Sequence, residues 1–340
     1  MNTRARTALP DGYRYPFPPF PTGWYFVGRS SDLAPGQLES RTLAGREIVV
    51  WRTRSGKALG SDAYCPHMGA HFGHGGRVDG EELWCPFHGF CFDGEGSCTK
   101  TGYDTPPPKT ARLAMVPVVE RHGLLLAWHD ALGREPTFEV PEIETDGWTR
   151  TLYETTRLRA HPQETTENSV DVGHLMVVHG YSDLETLEKL RLDGDHLTVR
   201  YAMKRPADFL GKSRRVRAEF TIHVYGLGYS RVEVEIPELG LRTRHLVLAT
   251  PIDGEHIELT IGLSVHDVDR RKVHPLLGFV PQRLVSELVL QGAWRGYRHD
   301  VAQDHDIWQH KAYIHPPQLA RGDGPVGRYR VWARRFYPEG

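Results

Sequence analysis

Two short loops carry the chain's most specific chemistry. Cys65-Pro66-His67 is followed, after 17 residues, by Cys85-Pro86-Phe87-His88. Each loop offers one thiolate and one imidazole. Gly69, Gly73, Gly75, Gly76 and Gly89 let the backbone turn tightly around a buried ion. Two Cys with two His form the ligand set in which imidazoles replace thiolates on one iron of a [2Fe–2S] cluster. Soft thiolates then hold one iron and neutral imidazoles the other. Zinc uses the same residue types, but usually as Cys-x2–4-Cys with His-x3–5-His, whereas each loop here mixes Cys with His. Cys91 and Cys98 fit no ligand spacing and read as free structural thiols. His71 and His74 read as surface or supporting histidines.

A second constellation is Glu167-x3-Asp171-x2-His174-x4-His179, in ETTENSVDVGHLMVVHG. Two His and one carboxylate on one face bind a non-haem Fe(II) that activates O2, with other positions left open. His174 and His179 are the candidate imidazole ligands. At i,i+5 they stand about 140° apart on a regular helix. A helix over 163–179 must therefore distort or end before His179, and Gly180 permits that. Asp171 lies one turn ahead of His174, where its carboxylate can accept the ring N–H and fix the tautomer. It can also bridge to a cluster histidine. The third ligand should be a distant carboxylate, and HDVAQDHDIWQHK offers Asp300, Asp304 and Asp306. Trp294, Tyr297, Val301, Asp304 and Trp308 are spaced as an inward helical stripe, and Asp300 and Asp306 fall off it. A carboxylate on a buried face needs a partner or a metal. Asp304 is the expected ligand, with Asp306 in reserve.

These loops need a scaffold. At roughly 150 residues per domain, 340 residues suggest two domains. Pro10–Pro21 is an extended, proline-rich arm (residues 1–23). From 24 to 140, short strand-like runs (Trp24–Arg29, Glu47–Thr53, Leu83–Pro86, Leu124–His129) alternate with Gly- and Pro-rich turns, so this part is small and all-β. GREPTFEVPEIETDGW reads as a linker. From 141 to 340, Val216, Ala218, Phe220, Ile222 and Val224 alternate with polar residues. So do Val232, Val234 and Ile236, and the run from Ile257 to Val265. Period two predicts half-buried antiparallel strands with one face covered. A long helix is predicted from about Pro281 to Lys311. The second domain is therefore α+β, with helices laid on one face of a sheet.

Composition excludes several classes. Hydrophobic residues at 39% and charged residues at 25% exclude wholesale disorder. A net charge of −1 gives no electrostatic case for nucleic acid. No apolar run approaches the roughly 20 residues of a membrane span. MNTRARTALP has no apolar leader core, so a cytoplasmic location is expected. Four cysteines do not make a disulfide scaffold. No flavin, nicotinamide or plant-type Cys-cluster module is present, so electrons must come from a separate reductase.

CPHMGAHFGHG and CPFHGFCFDGEGSC resemble the two loops of a Rieske domain, over roughly Trp24 to Trp128. From Trp24 onward the chain resembles the oxygenase (alpha) component of Rieske non-haem iron oxygenases. The resemblance implies an all-β Rieske [2Fe–2S] domain followed by an α+β helix-grip, lipid-transfer-like catalytic domain. It implies Cys65, His67, Cys85 and His88 on the cluster, and His174, His179 and Asp304 on a mononuclear Fe(II). It implies Asp171 as the electron bridge between subunits of a homotrimer. Electrons would pass from NAD(P)H through a ferredoxin or flavin reductase. EVPEIETDGW, DIWQHK and DGPVGRYRVWARRFY resemble the steroid-acting branch, and GGRVDGEELWCPFHGF is closer to the cholesterol 7-desaturases within it. The implied activity is O2-dependent hydroxylation or desaturation of a bulky hydrophobic, steroid- or sterol-like molecule. Two rivals are the same chemistry on an aromatic substrate (ring hydroxylation or O-demethylation), and an electron-transfer or lipid-binding protein without oxygenase activity.

Overall fold

Short apolar runs between glycine turns make short strands, and the first half accordingly builds three small antiparallel sheets. The computed structural model describes residues 13–209, 212–268 and 279–338. One sheet joins β1 (Gly23–Arg29), β11 (Leu124–His129) and β10 (Val118–Arg121). A second runs β2 (Leu38–Leu43), β3 (Arg46–Arg52), β4 (Ala58–Asp62) and β9 (Met115–Val116). A third runs β5 (Arg77–Asp79), β6 (Glu82–Trp84), β7 (Cys91–Phe92) and β8 (Cys98–Lys100), and the two Cys-Pro loops flank its first two strands. The four strand runs read from the sequence coincide with β1, β3, β6 and β11 to within two residues. Trp51, Phe72, Leu83 and Phe92 fill the core beneath the loops, together with Cys65 and Cys85.

The second half is one antiparallel sheet of seven strands. Its members are β12 (Leu152–Leu158), β13 (Ser182–Asp193), β14 (His196–Phe209), β15 (Lys212–Tyr225), β16 (Tyr229–Ile236), β17 (Leu241–Pro251) and β18 (Ile257–Val265). Their order is β12-β18-β17-β16-β15-β14-β13, a meander closed by the early strand β12 at one edge. The long helix α3 (Gln282–His310) lies on this sheet and buries Leu290, Trp294, Tyr297 and Trp308 against Leu259, Ile261 and Leu263. Its ends fall within one residue of the expected ones.

Two expectations are corrected. The sheet is not covered on one face throughout. At β17, Ala249 packs in the cluster under α3, while Leu246 and Leu248 pack against Trp24, Leu126 and Trp128 of the first domain. Burying each large side chain there contributes about 2 kcal/mol. Nor is 163–179 one helix. It divides into α1 (Pro162–Glu167) and α2 (Gly173–Val177). Asn168, Ser169, Val170, Asp171, Val172 and Gly173 are all weak helix formers, and the chain turns there, with Val170 N and Asp171 N both donating to Glu167 O.

The arm has no regular element from 13 to 22, and residues 1–12 lie outside the described residues. It is anchored to the second domain. Arg14 donates to the carbonyls of Trp308, Gln309 and Lys311, satisfying orphan acceptors at the C-terminus of α3. Tyr15 donates to Glu164 on α1 at 2.5 Å. A last helix, α4 (Val326–Ala333), backs α1 through a two-point ion pair, Arg330 to Glu167, at 2.6 and 2.7 Å.

Candidate metal centres

The two Cys-Pro loops have the same backbone wiring. Cys65 N donates to Ala70 O and accepts, through its carbonyl, from Gly69 N. Cys85 N donates to Phe90 O and its carbonyl accepts from Gly89 N. Gly69 and Gly89 take φ of +74° and +64°, a turn that L side chains resist. The matching turns direct both thiols inward, where Cys65 and Cys85 are buried, and leave both imidazoles half-exposed. The His67 and His88 rings stand 4.7 Å apart. His67 stacks on Phe90 at 4.1 Å, and its buried Nδ1 has no hydrogen-bond partner among the described residues. Burial pushes the Cys65 thiol up, and the adjacent Cys85 adds to this. Two buried thiols become thiolates only around a cation. An orphaned imidazole nitrogen beside paired buried thiols fits the [2Fe–2S] ligand set. Cys91 is buried and donates to Gly89 O, so it supports the second loop.

The second centre joins three elements. His174 lies on α2, His179 follows its end, and Asp304 lies in the last third of α3. Their ligand atoms all fall within 4.8 Å of one another. His179 reaches this position because α2 stops at Val177, Gly180 takes φ +67°, and Tyr181 N donates back to Leu175 O at 3.0 Å. His179 Nδ1 meets Gln303 Oε1 at 2.8 Å, and its Nε2 lies 3.5 Å from Asp304 Oδ2. His174 Nδ1 meets the main-chain carbonyl of Asp171. Both rings therefore carry hydrogen on Nδ1 and offer Nε2 inward. Asp304 is buried and Asp306 is exposed, as the helical stripe requires. Two Nε2 atoms and a buried carboxylate converging without a countercharge fit a divalent iron.

Three further residues differ from the sequence reading. Asp171 stands ahead of α2, not on it. Its carboxylate accepts the His174 backbone N–H at 3.3 Å and is 3.8 Å from Nδ1, so its carbonyl, not its carboxylate, orients the ring. Glu167 belongs to the Arg330 ion pair. Asp300, off the packed stripe, still lines the site, accepting from Tyr181 OH at 3.1 Å and from Arg205 at 3.3 Å. Gln303 was missed altogether, because nothing in a sequence marks a glutamine that meets a histidine 124 positions away.

The three residues open onto a cavity of about 170 Å³ between the sheet and α3. Leu175, Met203, Phe220, Ile222, Val232 and Val247 make most of its wall apolar. A more polar groove, between Arg29, Arg41, Tyr153 and Glu258, contains none of these ligands.

A thiolate–imidazole loop pair in a small all-β domain, joined to a two-histidine, one-carboxylate site under a helix-covered sheet, is the arrangement of a Rieske-type oxygenase. Residues 23–117 match the Rieske [2Fe-2S] domain, and residues 127–337 match the 3-ketosteroid 9alpha-hydroxylase C-terminal domain. The chain belongs to the Rieske oxygenase family, in the branch defined by that C-terminal domain, and is an oxidoreductase. Cholesterol 7-desaturase of Xenopus laevis is 30% identical over 94% of this chain and 72% of its own length. The oxygenase component of 3-ketosteroid-9-alpha-monooxygenase from Rhodococcus rhodochrous is 29% identical over 94% and 83%. Among solved structures, Pseudomonas putida CBB5 NdmA with caffeine superposes with a TM-score of 0.67 at 16% identity, covering 92% of this chain and 89% of its own. Dicamba monooxygenase bound to dicamba gives 0.64 at 18%, covering 92% and 96%. At such identities these two define the fold alone.

Proposed function

We propose that this chain is the oxygenase component of a system that hydroxylates or desaturates a bulky, steroid-like molecule, using O2 and electrons that a separate reductase draws from NAD(P)H. One observation carries the reading: His174, His179 and Asp304 converge at the wall of a mainly apolar cavity. The relatives named above act on cholesterol and on 3-ketosteroids by their names, and they align along nearly the whole chain. In this reading Cys65, His67, Cys85 and His88 hold the cluster, and His174, His179 and Asp304 hold the iron. When bound, these groups supply single electrons and O2 activation for oxidation of an unactivated C–H bond. The chain's own contribution is positional. Gln303 and the Asp171 carbonyl fix the two imidazole tautomers, the apolar wall excludes water, and α3 holds Asp304 against the sheet.

We further read the assembly as a homotrimer in which the cluster of one copy faces Asp171 of the next. Met68, Phe87 and Tyr103 are exposed around His67 and His88, and Met176 and Val177 are exposed beside His174. Two apolar collars on different faces of one chain suit a head-to-tail contact that closes into a ring. Asp171→Asn is then expected to keep both metal centres and lose turnover. The domain boundary is taken at residue 140, between the proline-rich arm with its cluster domain and the catalytic domain. A cytoplasmic location is part of the same reading; no helix among the described residues is long and apolar enough to cross a membrane.

The deciding test reconstitutes the protein with a surrogate reductase and measures substrate-triggered O2 uptake. Sterols or ketosteroids are expected to raise uptake above the basal rate, and aromatic acids are not. Stimulation by an aromatic alone would replace this reading with ring hydroxylation or O-demethylation. Metal analysis should give about three irons and acid-labile sulfide per chain; two irons would leave electron transfer without oxygenation.

A further inference from the structure

Tyr201 presents an anomaly inside the cavity. β14 places Tyr201, Met203 and Arg205 on one face by its period of two, and all three line the cavity. Several other polar tips there are engaged. Arg205 and Tyr181 donate to Asp300, His245 Nε2 meets Thr243 Oγ1 at 2.9 Å, and Tyr297 donates to Leu246 O at 3.2 Å. Tyr201 is 2% exposed, and its hydroxyl has no hydrogen-bond partner among the described residues. Of the buried side-chain atoms in that condition, only this one belongs to a residue lining the cavity. Native folds rarely leave a buried hydroxyl unmatched, because desolvation is then uncompensated. Phenylalanine would fill the same space without that cost.

We propose that the Tyr201 hydroxyl is the polar anchor for a neutral oxygen, a ketone or alcohol, carried by the otherwise apolar ring substrate. This rests on the steroid-like reading above and deepens it. Burial raises the Tyr201 pKa, to about 12, so the hydroxyl stays neutral. A neutral phenol in an apolar wall recognises a carbonyl or hydroxyl oxygen and gives a carboxylate no countercharge. Arg205 does not change this, since its charge is offset by Asp300 at 3.3 Å. Tyr201 therefore selects among hydrophobic skeletons by whether they carry an oxygen at the anchored end.

The test is equilibrium binding to the iron- and cluster-loaded protein. The ligands share one skeleton: 5α-androstan-3-one, 5α-androstan-17-one, 5α-androstane and a 5α-androstane carboxylic acid. The wild type should bind at least one ketone about tenfold more tightly than 5α-androstane, the worth of one hydrogen bond made in a dry site. In Tyr201→Phe that preference should vanish, while 5α-androstane binds as well or better and Tm does not fall. A merely structural tyrosine would lower Tm and weaken all four ligands alike. Retention of the ketone preference by Tyr201→Phe overturns the proposal, as does tightest binding of the acid or equal binding of ketone and hydrocarbon to the wild type. If the wild type binds none of the four, the steroid-like reading falls, and the anchor with it.

Discussion

Gln303 decides which nitrogen His179 presents. Its Oε1 takes the Nδ1 hydrogen at 2.8 Å, leaving Nε2 free beside Asp304. Supporting residues of this kind typically govern metal affinity 10–100-fold, so Gln303→Leu should weaken iron binding by about that factor while the cluster remains. Chelator competition on the anaerobic protein measures it; an unchanged affinity would mean that packing alone orients the ring. Asp304→Ala should lose the mononuclear iron and keep the visible absorption of the cluster, whereas exposed Asp306→Ala should lose neither. Iron retained in the first variant and lost in the second would reverse the ligand assignment. The sequence revealed Asp304 because a buried helical stripe has a period, and revealed the two Cys-Pro loops because their ligands are close in the chain. Gln303 and Tyr201 had no such signal: one matters through a distant histidine, the other through the lack of a partner among the described residues.

At the scale of elements, the tight turn of each cluster loop is made by a glycine. Gly89 takes φ +64°, and a Cβ there would come within 2.8 Å of Gly102 Cα, a backbone atom that cannot move aside cheaply. Gly89→Ala therefore adds a clash to left-handed strain of about 1 kcal/mol. It should displace His88 and deplete the [2Fe–2S] centre, leaving iron at His174, His179 and Asp304 in place. Acid-labile sulfide set against total iron checks this, and full sulfide would show that the loop absorbs the change. Element boundaries were legible where helical periodicity ran long, as in α3, whereas the alternation over 216–224 marked only part of β15, which begins at Lys212. They failed over 163–179, where apolar spacing looked helical but five weak helix formers, 168–172, divide α1 from α2. Coverage of the second face of β17 was not legible either, since it depends on Trp24 and Trp128 arriving from another domain.

At the scale of the whole molecule, neutral histidines hold the seams between arm and domains. His122 Nε2 meets Tyr229 OH at 2.8 Å, across the domain interface. His161 Nδ1 accepts from Gln163 N at 3.0 Å and caps α1, while its Nε2 meets the arm carbonyl of Pro19 at 3.2 Å. That pairing requires the neutral ring, because protonation would set two N–H groups against each other at the cap. Burial, with smaller contributions from nearby arginines, lowers His122 to about 4; burial likewise lowers His161 to about 3. A histidine whose folded pKa lies below its unfolded value of 6.5 leaves the unfolded chain holding more protons at acid pH. Its stabilisation is complete above pH 6.5 and falls by about 1.4 kcal/mol per pH unit as the pH drops towards the folded value. Tm should therefore decline steeply from pH 6.5 towards 4, well before most carboxylates protonate. His161→Asn keeps an acceptor for Gln163 N without a titrating ring, and should flatten the decline by one proton's worth. Thermal unfolding of both proteins across this range decides it: parallel curves would mean that His161 is already charged in the fold, and that its Nδ1 does not accept from Gln163 N.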